Sequence, residues 1–290
     1  MNKKTILLYG RTRSGKSTLL GELAEHVFKT TKQRTRLYTA DRGGIDPIRP
    51  YVELGIVEVI EQGESDPWIF LHKAVRGAVR NKEGKWVAGE NTDVGMFAFE
   101  SMTAFADALM LSMAQKAVDT NIGGGANIGF TVTGDGESLK VSGSNMAHYG
   151  VCQSRVTEEV WKSHALPASY ILWTASVSKD DDLSASGKVL GPAVAGKALT
   201  HEIPRWFNLT FRLDALPSQG TKAERHILYL GNHQDVSAGN AVGLGNTRTP
   251  LDSTPLPSSI EPASLVKALL MIENSHAQAL EKIRSRVGMK

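Results

Sequence analysis

The chain has 290 residues, of which 41% are hydrophobic and 22% are charged, a composition typical of a globular protein with a full hydrophobic core. Its net charge of +3 permits a local basic surface but does not by itself imply binding to nucleic acid. The single cysteine, Cys152, excludes an intramolecular disulfide and a cysteine-rich zinc site, and it favours a reducing, cytoplasmic setting. The sequence has no apolar stretch near the roughly 20 residues that a membrane-spanning helix needs.

The chain begins with a strand, a glycine loop and a helix in direct succession. Residues 5–9 form an apolar run that predicts a buried strand, and leucines at helical spacing predict a helix over residues 18–28. Between them, residues 10–17 match the pattern G-x-x-x-x-G-K-[ST] of a phosphate-binding P-loop. The N–H groups of such a loop and the positive end of its helix face the anion. The predicted nucleotide-binding residues are Gly10, Arg11, Thr12, Arg13, Ser14, Gly15, Lys16, Ser17 and Thr18.

Two residues of the loop carry most of its expected chemistry. The Lys16 ammonium is expected to contact the β- and γ-phosphates, and the Ser17 hydroxyl is expected to coordinate Mg²⁺. ATP and Mg²⁺ are therefore the predicted cofactors, and Lys16 is the first predicted catalytic residue.

A P-loop protein also needs an acidic residue that holds the metal, normally at the end of a neighbouring buried strand. Glu100 follows residues 94–99, and Asp41 follows the predicted strand of residues 35–40. The run before Glu100 is apolar on both faces, as expected in the middle of a parallel sheet, so Glu100 is the predicted metal ligand together with Ser17. Asp41 has two open interpretations: it orients the attacking water, or it caps the glycine turn that follows it.

The other predicted elements are read from periodicity and from turn residues. In chain order they are a strand at 56–60, a helix from 66 to about 80, a loop or exposed hairpin at 81–93, a helix at 102–118, a glycine-rich insert at 121–150, a helix at 145–165, a strand at 170–175, a polar loop at 179–196, late strands at 207–213 and 225–230 that could form an antiparallel pair, and an amphipathic helix at 261–286. The predicted domain organisation is a core of residues 1–249, a proline-rich linker at 250–262 without regular structure, and a C-terminal helix at 263–290.

Further candidates lie at the strand tip and in the second half of the chain. Thr174 and Ser176 end the 170–175 strand and could sense the γ-phosphate. The charge that develops on a transferred phosphoryl group calls for a cation beyond Lys16. Candidate cations, from the same or a neighbouring subunit, are Lys197, Arg205 and Arg248.

The order of these features resembles that of RecA-like proteins. The P-loop, an acid after the second strand, the sequence Phe-Ala-Phe-Glu-Ser at 97–101 and a polar-tipped later strand follow one another as they do in that group. Glu100-Ser101 resembles the Asp-Ser pair that closes the corresponding strand in RecA-type recombinases. The segments 191–197 and 203–207 resemble phage-encoded RecA-like ATPases of the single-strand-annealing group. The resemblance covers about residues 1–250, and only the P-loop in it is specific.

This resemblance implies a RecA-like α/β sandwich with a mostly parallel central sheet and a C-terminal helix. It also implies a ring or filament of identical subunits, in which segments 121–150 and 177–196 face single-stranded DNA and Arg248 reaches a neighbour's nucleotide. Residues that could contact phosphates there are Lys140, Arg155, Lys188 and Lys197. The chain departs from the pattern in three ways: Glu100 replaces aspartate, the strand tip lacks the recombinase glutamine, and aspartates at 180–182 would repel a phosphate backbone.

The predicted function is Mg²⁺-dependent ATP hydrolysis coupled to single-stranded DNA binding, annealing or strand exchange in phage-type recombination, in the host cytoplasm if the chain is phage-encoded. One alternative is an ATPase that remodels or scaffolds a protein assembly such as a virion component. Another is a small-molecule kinase, but residues 179–196 contain no arginine, which counts against this alternative. A nucleotide-binding structural protein with little turnover is the third.

Overall fold

The computed structural model describes residues 3–41, 43, 45–120, 128–134, 137–143, 146–180, 189–194, 199–217, 224–235, 241–247 and 254–288. The strands are β1 (Lys4–Gly10), β2 (Arg34–Thr39), β3 (Val57–Glu61), β4 (Val79–Arg80), β5 (Trp86–Val87), β6 (Val94–Glu100), β7 (Ile128–Gly134), β8 (Glu137–Gly143), β9 (Tyr170–Asp180), β10 (Val189–Pro192), β11 (Leu209–Pro217), β12 (Glu224–Tyr229), β13 (His233–Asp235), β14 (Ala241–Gly243), β15 (Asn246–Thr247) and β16 (Ser259–Ile260). The helices are α1 (Lys16–Thr31), α2 (Arg49–Glu53), α3 (Pro67–Ala74), α4 (Met102–Thr120), α5 (Met146–Ser163), α6 (Ile203–Trp206) and α7 (Leu265–Arg286), with a 3₁₀ turn at Asp46–Ile48.

The central sheet has the order β3-β2-β6-β9-β1-β11-β12-β16. The first six of these strands pair in parallel, and β12 and β16 extend the sheet in antiparallel register. β1 therefore lies inside the sheet and is separated from β6 by β9. This topology confirms the predicted α/β class with a mostly parallel central sheet, and it brings the carboxyl ends of β1, β9, β6 and β2 to one edge.

Alternation along β1 divides the core into two layers, because successive side chains of a strand point to opposite faces. Leu7 and Tyr9 belong to the layer that packs against α3, α4 and α5. Ile6 and Leu8 belong to the layer that packs against α1 and α7. All seven residues of β6 are buried, which confirms the expectation that this strand lies in the middle of the sheet.

Helix α3 begins as predicted but ends early. The Asp66 carboxylate accepts hydrogen bonds from the N–H groups of Trp68 and Ile69 and so caps the helix. The prediction that the helix continues to about residue 80 is wrong, because the helix ends at Ala74 and Gly77 then adopts a left-handed φ of 67°. Of the two forms predicted for residues 81–93, the structure has a hairpin, formed by β4 and β5.

The predicted polar loop at 179–196 is wrong at both of its ends. β9 continues to Asp180, and β10 pairs with it in antiparallel register. The two strands contribute only short apolar runs on either side of a polar stretch of sequence, so hydrophobic periodicity does not reveal this hairpin. Nearer the end of the chain, β11 and β12 form the predicted antiparallel pair.

The proline-rich segment also contains regular structure, contrary to the prediction. Ser259 and Ile260 pair with β12, which is possible because the prolines flank these two residues and leave their N–H groups free. Helix α7 then begins at Leu265 rather than 261. The Ser264 side chain accepts a hydrogen bond from the Lys267 N–H at 3.0 Å and caps the helix, and the Leu265 N–H donates to Glu22 on α1.

Helix α7 buries only part of its predicted apolar face. Leu265, Leu269 and Ile272 are buried in the layer shared with α1, whereas Leu280 and Ile283 are 49% and 43% exposed. The helix therefore packs on the core of the chain as far as Ala279, and the apolar side chains of its last turns are exposed. Within the described ranges, no helix combines the length and the apolar character needed to cross a membrane.

Candidate functional site

The P-loop joins β1 to α1 at the carboxyl edge of the sheet. A Cβ atom at Gly10 would lie 2.1 Å from the Leu213 carbonyl oxygen, so only glycine fits there. Gly15 has a φ of 97° and forms the N-cap of α1, and no described side chain caps this helix end. The first N–H groups of α1 are therefore available to an anion.

Lys16 folds back over this loop. Its ammonium donates hydrogen bonds to the carbonyl oxygens of Gly10 at 3.0 Å and Arg11 at 2.9 Å. Burial lowers the pKa of Lys16, and the nearby carboxylates of Glu100 and Asp41 oppose this shift. A phosphate bound in the loop would meet a partly desolvated cation, for which the electrostatic attraction is stronger than in water.

Ser17 and Glu100 meet across the sheet edge. The Ser17 hydroxyl donates to Glu100 Oε1 at 2.5 Å, and the other carboxylate oxygen, Oε2, is buried and has no hydrogen-bond partner among the described residues. Burial raises the pKa of Glu100 to about 7, against the hydrogen bond from Ser17 and the charge of Lys16. A hydroxyl and an unsatisfied carboxylate oxygen are hard ligands of the kind that Mg²⁺ prefers, so these residues fit the predicted metal.

Asp41 has features of both interpretations left open by the sequence. Its Oδ1 accepts a hydrogen bond from the Gly43 N–H at 2.9 Å, which is the predicted turn cap. It also lines the cavity that contains the P-loop lysine and Glu100. This polar cavity has a volume of about 510 Å³, and its lining residues are Thr12, Arg13, Gly15, Lys16, Ser17, Thr18, Asp41, Gly43, Pro47, Glu100, Ser101 and Ser176.

The tip of β9 lies between the P-loop and Glu100, since β9 separates β1 from β6. Ser176 pairs with Gly10 across the sheet and lines the polar cavity. The Ser176 N–H donates to Thr103 Oγ1 at 2.9 Å. Thr174 is fully buried two residues earlier and does not line this cavity, so of the two candidates at the strand tip only Ser176 reaches it.

The additional basic residues predicted from the sequence do not line the polar cavity where the structure describes them. Arg205 is exposed on α6, where it pairs with Glu202 at 3.2 Å. Arg155 lies on α5 and pairs with the buried Glu159. The structure does not describe the side chain of Lys140 on β8, and it does not describe Lys188, Lys197 or Arg248.

A second cavity, of about 360 Å³, lies on the other side of the P-loop. Its lining residues are Ser14, Gly15, Thr18, Leu19, Leu213, Glu224, Arg225, His226, Glu261, Pro262 and Ala263. We call it the apolar cavity, because its lining surface is more apolar than that of the polar cavity.

His226 is a residue of this site that sequence reasoning missed. It lies on β12, and its Nδ1 donates a hydrogen bond to the Ser14 carbonyl oxygen at 2.9 Å. The two residues are 212 positions apart. A single histidine in an alternating strand offers no local signal of such a contact, and only the pairing of β11 with β12 places it there.

The fold and the site define the chain as an α/β protein with a P-loop at the carboxyl edge of a mostly parallel sheet. No known family model matches the chain, and no curated protein matches it either. One solved structure to which the chain is similar is described as the crystal structure of the RadB recombinase. The two share 13% sequence identity with a TM-score of 0.42, over 83% of this chain and 90% of that one.

Proposed function

We propose that the protein is an Mg²⁺-dependent ATPase. The observation that carries this proposal is the contact between the Ser17 hydroxyl and the buried Glu100 carboxylate at 2.5 Å, beside the Lys16 ammonium. When bound, Mg²⁺ would neutralise charge on the β- and γ-phosphates. Ser17 and Glu100 would hold it, and Lys16 would exchange its carbonyl contacts for phosphate oxygens.

Two polar groups support hydrolysis in addition to binding. Asp41 follows β2, and Ser176 lies within β9 beside the end of β1; both line the polar cavity. A carboxylate placed there can orient an attacking water and accept its proton. We assign this role to Asp41, with Ser176 as a hydrogen-bonding group near the γ-phosphate.

The apolar cavity supports ATP as the nucleotide to be bound. Thr18 and Gly15 line both cavities, so a ligand with its phosphates on the P-loop could extend from one into the other. An apolar wall with a few polar groups is the usual environment of a base. We therefore place the triphosphate in the polar cavity and the adenine in the apolar cavity.

We further propose that hydrolysis is coupled to single-stranded DNA, as the resemblance to annealing proteins implies. Described residues at one end of each segment expected to face DNA approach the sheet edge that carries the P-loop. β9 runs four residues beyond Ser176, the partner of Gly10, and Cys152 near the start of α5 donates to the Ala106 carbonyl near the start of α4 at 3.6 Å. A nucleotide-dependent change at this edge could thus reach both segments.

The same proposal includes self-association in the cytoplasm. A ring or filament would allow Arg248, or another cation from a neighbouring subunit, to complete the charge stabilisation that Lys16 begins.

The test is the ATPase rate at fixed Mg²⁺, with and without single-stranded DNA, with Lys16→Ala as the blank. We expect turnover that depends on Lys16 and is stimulated by single strands, with stimulation lost at high salt because phosphate contacts release counterions. Turnover that ignores DNA would contradict the coupling and favour the protein-remodelling alternative. Turnover equal to that of the Lys16→Ala blank would contradict the ATPase itself.

A further inference from the structure

The P-loop backbone at residues 14–15 forms a wall between the two cavities. Gly15 lines both, whereas Lys16 and Ser17 line only the polar cavity and His226 lines only the apolar one. The Ser14 carbonyl oxygen is 2.9 Å from His226 Nδ1. This carbonyl therefore points away from the side on which phosphate would bind.

The direction of the Ser14 carbonyl fixes the direction of the next N–H group. A peptide unit is planar and trans, so its C=O and N–H point in opposite directions. With the Ser14 oxygen held towards His226, the Gly15 N–H must point into the polar cavity. A flipped Ser14–Gly15 peptide would instead aim a carbonyl oxygen at the phosphate and repel it.

The Ser14–Gly15 peptide needs a hydrogen-bond partner to keep its orientation. Gly15 lacks a Cβ atom and has a φ of 97°, a region in which glycine moves between conformations at little cost. The residue before it, Ser14, is 1% exposed, so water cannot easily replace a lost partner of its carbonyl group.

His226 itself is held firmly by its strand. It pairs with Ala215 on β11, and its carbonyl oxygen accepts a hydrogen bond from the Ala263 N–H at 2.9 Å. A carbonyl oxygen can only accept, so Nδ1 must carry the proton in this contact. In the neutral ring the Nε2 atom then carries none.

We propose that His226 is a positioning residue that holds the Ser14–Gly15 peptide in the orientation that binds phosphate. This inference rests on the proposed function, since it concerns the same nucleotide site. His226 touches the loop and not the phosphates, so its effect would be on phosphate affinity through the aim of the Gly15 N–H.

The first measurement is the tautomer of His226 in the nucleotide-free protein, read from the ¹⁵N chemical shifts of its ring and assigned by loss of the signal in His226→Asn. We expect the Nδ1–H form. The Nε2–H form would overturn the proposal, because that tautomer cannot donate from Nδ1.

The second measurement is the dissociation constant of a non-hydrolysable ATP analogue and of inorganic triphosphate, each with Mg²⁺. His226→Leu removes the donor and should weaken both ligands about 5- to 30-fold, the range expected when a buried carbonyl loses its partner. His226→Asn can present an amide N–H near the position of Nδ1 and should restore most of the affinity. His26→Leu on α1 is the matched control and should bind both ligands as the wild type does.

The outcomes separate this inference from the proposed function. Weakening of the ATP analogue alone would mean that His226 contacts the base, and it would overturn the positioning role. Wild-type affinity for both ligands in a folded His226→Leu chain would overturn it as well. A wild-type chain that shows the Nδ1–H tautomer but binds neither ligand would instead contradict the ATPase proposal. If His226→Leu does not fold, the comparison of His226→Asn with the wild type and the tautomer still test the contact.

Discussion

The two cavities beside the P-loop differ in volume, about 510 and 360 Å³, and in chemistry. The polar cavity is lined by two basic side chains, two carboxylates and several hydroxyls, whereas the lining of the apolar cavity, between α1, β12 and residues 261–263, is mostly apolar surface together with the paired side chains of Arg225 and Glu261. Among the described residues, Gly15 and Thr18 alone line both. The same short loop thus separates a region suited to charge from a region suited to a flat apolar group.

This difference has a structural origin in the sheet. The polar cavity forms at the carboxyl edge of the parallel strands, so Asp41 after β2, Glu100 at the end of β6 and Ser176 within β9 meet there, as is general for open parallel sheets. The apolar cavity forms where the sheet becomes antiparallel at β12 and the chain turns towards α7. Changes in the polar cavity should therefore affect catalysis, and changes in the apolar cavity away from His226 should affect selectivity between nucleotides and bare phosphate.

The largest effect should come from Glu100→Gln in the polar cavity. The amide cannot supply the negative charge that holds Mg²⁺, so we expect ATP hydrolysis to fall about 100-fold or more. Nucleotide binding measured in EDTA should change little, because Glu100 is placed to act through the metal. Steady-state hydrolysis and equilibrium binding measure the two effects separately.

Glu61→Gln is the matched control for this substitution. Glu61 ends β3 at the same edge of the sheet but does not line the polar cavity. The Glu61→Gln variant should therefore hydrolyse ATP at a rate near that of the wild type. A Glu100→Gln chain with unchanged hydrolysis would refute the assignment of Glu100 as metal ligand.

The next effect concerns the stability of the metal-free protein. Burial raises the pKa of Glu100 from 4.5 to about 7, so between these pH values the folded chain keeps a proton that the unfolded chain has released. Stability must then fall as the pH rises from 4.5 to 7 and stay level above that. Glu100→Gln lacks this ionisation, so relative to the wild type it should gain about 2 to 3 kcal/mol between pH 5 and pH 8.

Urea unfolding in EDTA without nucleotide, at pH 5, 7 and 8, measures this difference. A wild-type-to-variant difference that is the same at all three pH values would contradict the raised pKa. The expected result would also mean that the carboxylate costs stability in the free protein and is retained for its function, a trade-off common at active sites.

The polar cavity was largely predictable from the sequence, and the apolar cavity was not. The P-loop is a local motif, and the doubly apolar run before Glu100 indicated a central strand whose end would adjoin it. The position of Ser176 followed in the same way from a polar residue at a strand tip. Each of these features can be recognised within a stretch of about ten consecutive residues.

The apolar cavity depends instead on contacts between distant segments. His226 meets Ser14 only because β12 pairs with β11, and Ala263 is placed by the pairing of β16 with β12. The short β16 lies in a segment whose prolines predicted irregular structure. β10 was missed for a related reason, since its apolar run is only two residues long and the strand is placed by its pairing with β9.

The smallest expected effect tests the apolar cavity directly with Ala263→Phe. Ala263 is half-buried in the cavity wall, and its N–H would still donate to the His226 carbonyl oxygen after substitution. A phenyl ring should occupy the space assigned to the adenine and weaken ATP binding about tenfold, the discrimination expected from a small steric change in an apolar pocket. Inorganic triphosphate should bind as it does to the wild type, because the polar cavity is untouched.

Ala263→Ser is the control for this experiment, since it changes the same position without filling the cavity. If Ala263→Phe weakened the binding of ATP and of triphosphate equally, the substitution would be acting through the P-loop. The two cavities would then not be separate in function. If it weakened neither, the adenine would have to lie elsewhere. A loss of affinity for ATP alone would instead support separate recognition of the two parts of the ligand. The triphosphate would then bind on one side of the loop at Thr18 and the base on the other.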